Sequence, residues 1–210
     1  MQRRSLLTLL LAPSLAALSA CQPSGGPAGS ASPFKGIDIT GAEYARQLDL
    51  PDAQGQLRHL TDFKGRVVVV FFGYTQCPDV CPTAMAELAG ARAQLGSQGE
   101  AVQGVFVTVD PERDTPEVLQ AYVANFQSGF IALRGSLAQT QAAAKEFKVF
   151  YAKVPGRTET SYTVDHTAGS YVFDRQGRVR VFSRYGAGPD ALAHDLRALL
   201  DEPQGSAQPQ

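Results

Sequence analysis

The sequence predicts an α/β domain built on one mixed sheet with helices on both faces, and three observations predict it. Residues 67–74 are almost entirely apolar, as a central strand covered on both sides requires. A second inner-strand run, 102–109, follows a stretch with helical spacing, so two strand–helix crossovers stand in series. Asp174-Arg-Gln-Gly177 then separates two strand-like runs, 170–173 and 178–183, as a hairpin turn does, and an amphipathic stretch over 189–200 closes the domain.

The remaining elements follow in order. Residues 47–50 and 56–60 bracket Pro51-Asp-Ala-Gln-Gly55, a hairpin signal, and 61–65 form a tight turn. Met85, Leu88 and Leu95 give 83–95 helical spacing. Asp114-Thr-Pro-Glu117 is a helix start for 116–126: an acidic or hydroxyl cap, then proline in the first turn, where no amide hydrogen is needed. Residues 137–147 read as a further helix. The sequence shows no internal repeat.

The ends read differently. Arg3 and Arg4 precede an apolar stretch, 6–18, that is broken by Pro13 and too short for a comfortable membrane span. Small residues lead into Leu18-Ser-Ala-Cys21. Residues 1–20 therefore read as a lipoprotein signal and Cys21 as the lipidated first residue of the mature chain, which would anchor it to a membrane. Residues 21–35, rich in Gly, Ser, Pro and Ala, read as a flexible tether, 36–201 as one domain, and 202–210 as a disordered tail. Of the 19 basic residues, two lie in the signal, leaving 17 against 20 acidic residues, a formal charge of −3. That balance carries no basic footprint for nucleic acid.

Chemistry concentrates at Phe71-Phe-Gly-Tyr-Thr-Gln-Cys77-Pro-Asp-Val-Cys81-Pro82. With Cys21 lipidated, these are the two thiols that remain. Cys77 falls in the loop leaving the 67–74 strand and Cys81 at the start of the next helix, a spacing that puts both sulfurs on one face of a first turn. Sites in open sheets collect at this carboxyl end of the strands. A helix start favours the thiolate, the form that exchanges disulfides and the soft donor that selects Cu(I). A disulfide closing so short a loop would remove little chain entropy, so a structural staple explains the pair poorly. Electron transfer and metal binding both remain open from the thiols alone. His166, in Tyr162-Thr-Val-Asp-His166-Thr167, is the candidate third donor, in a polar segment just before the 170–173 strand. The other two histidines, His59 and His194, read as solvated.

These residues carry a resemblance. The Phe71–Pro82 run, Val107-Thr-Val-Asp-Pro-Glu-Arg-Asp-Thr-Pro-Glu117 and Asp165-His166-Thr167 resemble the Sco (SenC) family of copper proteins, in order and spacing, over about residues 36–200. The resemblance implies a thioredoxin-like fold with an added N-terminal hairpin and an insertion, 149–164, before the His166 segment. It implies copper, as Cu(I) or Cu(II), held by Cys77, Cys81 and His166, with Asp79 and Asp165 either supporting the ligands or serving as turn residues. The 110–115 loop is expected near the same edge as a capped helix start rather than a ligand. The implied role is a membrane-tethered copper chaperone in the bacterial periplasm. It would deliver copper to, or prepare, the dinuclear centre of cytochrome c oxidase subunit II, with other envelope copper chaperones or a thiol reductant as further partners. The chain departs from ordinary thioredoxins in having three residues between its cysteines, no tryptophan, and no proline at 164–166, where they place a cis proline.

A thiol–disulfide oxidoreductase acting on partner cysteines needs only the thiol pair and is the main alternative. A peroxiredoxin-like peroxidase would have to use one of the two thiols to resolve the other. A structural zinc site would need a fourth ligand.

Overall fold

The computed structural model describes residues 32–126, 128–158 and 161–203. Cys21, the signal, most of the expected tether and nearly all of the expected tail lie outside the described residues. In chain order the elements are β1 (Ile37–Asp38), β2 (Leu50–Pro51), β3 (Leu57–Arg58), β4 (Val67–Gly73), α1 (Val80–Gln94), β5 (Val102–Thr108), α2 (Pro116–Ala124), β6 (Ile131–Leu133), α3 (Leu137–Glu146), β7 (Tyr151–Pro155), β8 (Tyr162–His166), β9 (Gly169–Phe173), β10 (Val179–Arg184) and α4 (Pro189–Asp201).

Six strands form the central sheet in the order β1-β10-β9-β4-β5-β6. β4 lies at its middle, parallel to β5 and antiparallel to β9, and every residue of β4 and β5 is buried. This is the mixed sheet that the apolar runs predict. Successive side chains of β4 point to opposite faces. The Phe72 ring meets Phe147, at the end of α3, at a centroid distance of 5.0 Å, while Phe71 faces Phe106 at 6.2 Å. Each such buried ring contributes about 1.5–3 kcal/mol.

The helices begin where their caps dictate. The Thr115 hydroxyl accepts from the Val118 amide at 3.3 Å, with Pro116 following. Ser136 and Gln139 form a reciprocal capping box at the start of α3. α1 starts three residues before the expected 83, and this places Cys81 inside its first turn. Pro82 fits there because the first amides of a helix have no partner to lose.

Four strands were not expected from sequence. β6 is a three-residue strand at the sheet edge, and β1 is a two-residue strand at the other edge. The 149–164 insertion is a β-hairpin: β7 and β8 pair antiparallel, with Tyr151 opposite His166, as a sheet of their own. His166 therefore ends a strand rather than lying in an irregular segment. The front hairpin is present but short, pairing Leu50–Pro51 with Leu57–Arg58, and a 3-10 turn takes over at Leu60–Phe63.

The register fixes where the site must form. Phe71 of β4 pairs with Ser170 of β9, so the start of β9 lies beside the end of β4. Only Thr167 and Ala168 separate β8 from β9. That short step brings the end of the hairpin over the strand end from which the Cys77 loop leaves.

Candidate metal site

Cys77, Cys81 and His166 converge at this end of the sheet, with their donor atoms all within 4.8 Å of one another. Cys81 Sγ lies 3.3 Å from His166 Nε2, although the two residues are 85 positions apart. Cys77 lies before the helix rather than on its first turn. The Cys77 amide donates to the Tyr74 carbonyl at 3.2 Å, and the Cys81 amide, an orphan donor of the first turn of α1, points at Cys77 Sγ at 3.4 Å. The sulfurs thus meet through a turn and a helix start, not through one helical face.

Gly73 makes room for the inner sulfur, since a Cβ there would lie 2.8 Å from Cys81 Sγ. Cys81 is fully buried and Cys77 half-buried. Burial pushes the Cys81 thiol well above its ordinary range. The sequence expectation that the helix start would favour a thiolate therefore fails at Cys81 in the metal-free protein, where desolvation outweighs the helix dipole.

The imidazole is oriented from both sides. Its Nδ1 lies 3.1 Å from the Thr167 carbonyl, which can only accept, so Nδ1 carries the proton and the lone pair of Nε2 faces the sulfurs. Phe71 and Tyr74 hold the ring edge-on at centroid distances of 5.8 and 6.0 Å. Burial lowers the His166 pKa and keeps the ring neutral, the form that binds metals. Two sulfurs and one imidazole nitrogen, with no carboxylate among them, suit a soft cation. A cleft of about 340 Å³ opens over the group, lined by Tyr74, Cys77, Pro78, Val80 and residues 163–166.

The two acidic candidates sit at the margin. Asp165 is exposed, lines the cleft and favours the charged form of His166. The Asp79 carboxylate is also exposed and lies 3.4 Å from the hydroxyls of both Thr83 and Tyr185. His59 pairs with Asp49, and His194 with Asp195, away from the cluster.

The 110–114 loop does more than begin a helix. Asp114 is fully buried, and its carboxylate accepts from the hydroxyls of Thr75 and Thr108, each at 2.6 Å, and from the Thr75 amide at 3.1 Å. It ties the start of the Cys77 loop to the end of β5. Burial raises its pKa, and its three donors oppose that. Asp110, also buried, accepts from Arg113 Nε and, at 2.8 Å, from the Tyr162 hydroxyl on β8. Arg134, just after β6, holds the loop from behind through the carbonyls of Pro111 and Asp114. Sequence reasoning found the Thr115 cap but not these bonds, because no spacing rule links Asp110 to a tyrosine 52 positions away.

Fold and site together define a thioredoxin-like protein in which a histidine from an inserted hairpin faces a dithiol. The SCO1/SenC family profile matches residues 38–201. The chain belongs to that family. It is 37% identical over 131 residues to a SCO2-like protein of Rickettsia prowazekii, covering 62% of this chain but 64% of that one, so it spans less than two thirds of that relative's length. Among solved structures, Bradyrhizobium japonicum ScoI with copper bound is 35% identical, covers 73% of this chain and 97% of that one, and superposes with a TM-score of 0.66. The apo Sco1 protein of Thermus thermophilus is 38% identical, covers 81% and 99% respectively, and gives a TM-score of 0.71.

Three outcomes follow from this geometry. In the metal-free protein the His166 ring titrates below the ordinary imidazole value of about 6.5; NMR titration of its ring protons checks this, and a midpoint above that value contradicts it. Iodoacetamide labels Cys77 before Cys81, because Cys81 is both buried and held as a thiol; peptide mapping of a time course that finds Cys81 first refutes the assignment. Thr108→Val, which removes one donor from the buried Asp114 carboxylate, lowers unfolding free energy by about 1–3 kcal/mol; denaturant unfolding measures it, and an unchanged midpoint shows that the bond contributes nothing.

Proposed function

We propose that this chain is a copper carrier that holds Cu(I) on Cys77 and Cys81 and adds His166 for Cu(II). The observation that carries this reading is the approach of Cys81 Sγ and His166 Nε2 to 3.3 Å, with Cys77 Sγ in the same small group. Thiolates select Cu(I), while Cu(II) prefers sites that include nitrogen. Because Cys81 starts as a thiol, copper arrival releases its proton, and acid favours release of the metal. Release to a partner proceeds by ligand exchange: incoming thiolates replace the sulfurs in turn, the accessible Cys77 first.

Two features support the setting. A copper-bound relative shares the fold at 35% identity, and the sequence offers a lipid attachment point at Cys21. No helix among the described residues is long and apolar enough to cross a membrane. In this reading a lipid on Cys21 tethers the domain on the periplasmic side of a bacterial membrane. The receiving partner is the exposed copper domain of cytochrome c oxidase subunit II. A second activity is reduction of a disulfide in that partner: the Cys77 thiolate attacks one sulfur and the other leaves as a thiolate, then Cys81 displaces the first, so the partner gains two thiols and this chain keeps a Cys77–Cys81 disulfide.

The test is copper titration of wild type and His166→Ala, with Cu(I) and Cu(II) measured separately. Loss of the imidazole weakens Cu(II) binding by at least about 100-fold, since even groups that only orient a ligand cost roughly 10–100-fold. Cu(I) affinity changes far less. Equal binding by both proteins in both oxidation states removes His166 from the ligand set.

A further inference from the structure

We infer that Tyr162, Asp110 and Arg113 form a clasp that positions His166, so that these three residues set the preference of the site for Cu(II) over Cu(I). The inference rests on the copper-carrier reading and adds residues outside the ligand set.

The argument begins with how the two halves of the site are held. Cys77 and Cys81 leave the buried centre of the main sheet and the first turn of a fifteen-residue helix. His166 ends a two-stranded hairpin that shares no strand with that sheet. An isolated two-stranded hairpin is marginal in water. The last three residues of β7, Lys153, Val154 and Pro155, are exposed, and on β8 Val164 is the one fully buried residue. Val164, the two-residue step to β9 and the Phe71 and Tyr74 rings hold the His166 end of β8; the Tyr162 end, where the strand begins, needs a hold of its own.

The clasp supplies that. The Tyr162 hydroxyl donates to the buried Asp110 carboxylate at 2.8 Å. Arg113 Nη1 donates to the Tyr162 carbonyl at 2.9 Å, and the guanidinium carbon lies 3.6 Å from the centre of the Tyr162 ring. Arg113 Nε binds the same Asp110 carboxylate, and its Nη1 also reaches the Gln76 side chain at 3.0 Å, one residue before Cys77. Lys153 on β7 closes the outer side through Glu112 and lies 4.7 Å from the Tyr162 ring centre. One arginine therefore touches both the residue beside the first thiol and the first residue of the strand that ends in the imidazole.

This arrangement has a selective consequence. Tyr162 and His166 stand four residues apart on β8 and share one face of the strand, so a shift of Tyr162 is transmitted along a stiff segment to the ring. Displacing the ring removes the nitrogen donor and leaves the two sulfurs where they are. Cu(I) tolerates that loss and Cu(II) does not.

Tyr162→Phe is the mildest probe, since it deletes the hydroxyl and keeps the ring under Arg113. Arg113→Lys keeps the charge and loses the fork. Both are made in the full chain, alone and with His166→Ala, and titrated with Cu(I) and Cu(II). Tyr162→Phe is expected to weaken Cu(II) binding about 10-fold, to diminish the sulfur-to-Cu(II) charge-transfer band, and to leave Cu(I) affinity within about 3-fold. In the His166→Ala background it is expected to cost nothing further for Cu(II). Unchanged Cu(II) binding, an equal loss for both oxidation states, or the same loss with and without His166 overturns the inference. If wild type binds Cu(II) without using His166, the copper-carrier reading fails, and the clasp is then judged in the metal-free protein. There, Tyr162→Phe must shift the His166 ring resonances and speed amide exchange at Val164; unmoved signals overturn it.

Discussion

The structure depends on one buried carboxylate. Asp114 has no access to solvent, yet it stands between the end of β5 and the residue that begins the thiol loop, and it draws donors from both. A charge taken so far from water is costly unless every lone pair is used. Two threonine hydroxyls and an amide use them. The cost of leaving that charge unpaired makes the arrangement specific: any movement of Thr75 away from β5 strands it. The thiol loop is therefore fixed by electrostatics, although it leaves one of the most apolar strands in the protein.

The charge states of the empty site follow the same logic. Burial holds Cys81 as a thiol and His166 as a neutral imidazole. Neither imposes an unpaired charge on the pocket, so the donors can wait together without mutual repulsion. The helix amide aimed at Cys77 and the carbonyl beneath His166 Nδ1 set the direction of the donors before any ion arrives. Because burial holds Cys81 as a thiol, metal capture there releases a proton, which ties binding to the acidity of the surroundings.

Much of this was legible in the sequence, and the exceptions share a cause. The central strand, the 174–177 turn and the cap before α2 are local signals: an apolar run, a turn tetrapeptide, a capping residue followed by proline. The thiol pair is local too. What escaped was non-local. β6 is three residues long and buried through its neighbours, with too little length to show a period. The β7–β8 hairpin carries Pro155 and a mostly exposed strand, so composition reads it as loop, and His166 was accordingly placed in a polar segment. The roles of Asp110, Arg113 and Asp114 were hidden behind the cap beside them, because their partners, Tyr162 and Thr75, lie 52 and 39 positions away. The helix-dipole argument for a thiolate was sound in isolation and lost at Cys81 to a burial that spacing cannot reveal.

The placement of the third donor on a separate hairpin bears on how such a site can both hold and surrender an ion. A third ligand on the main sheet would be as immobile as β4, and a partner would have to break all three bonds against a rigid frame. A ligand on a hairpin held by a few polar contacts is different. The strand that carries it is held at Tyr162 by hydrogen bonds to Asp110 and Arg113, each of modest net worth because water competes for the same groups, while the imidazole itself rests against Phe71 and Tyr74. The fold thus separates a dithiol on the main sheet and α1, beside a buried carboxylate, from an imidazole carried by a separate two-stranded hairpin.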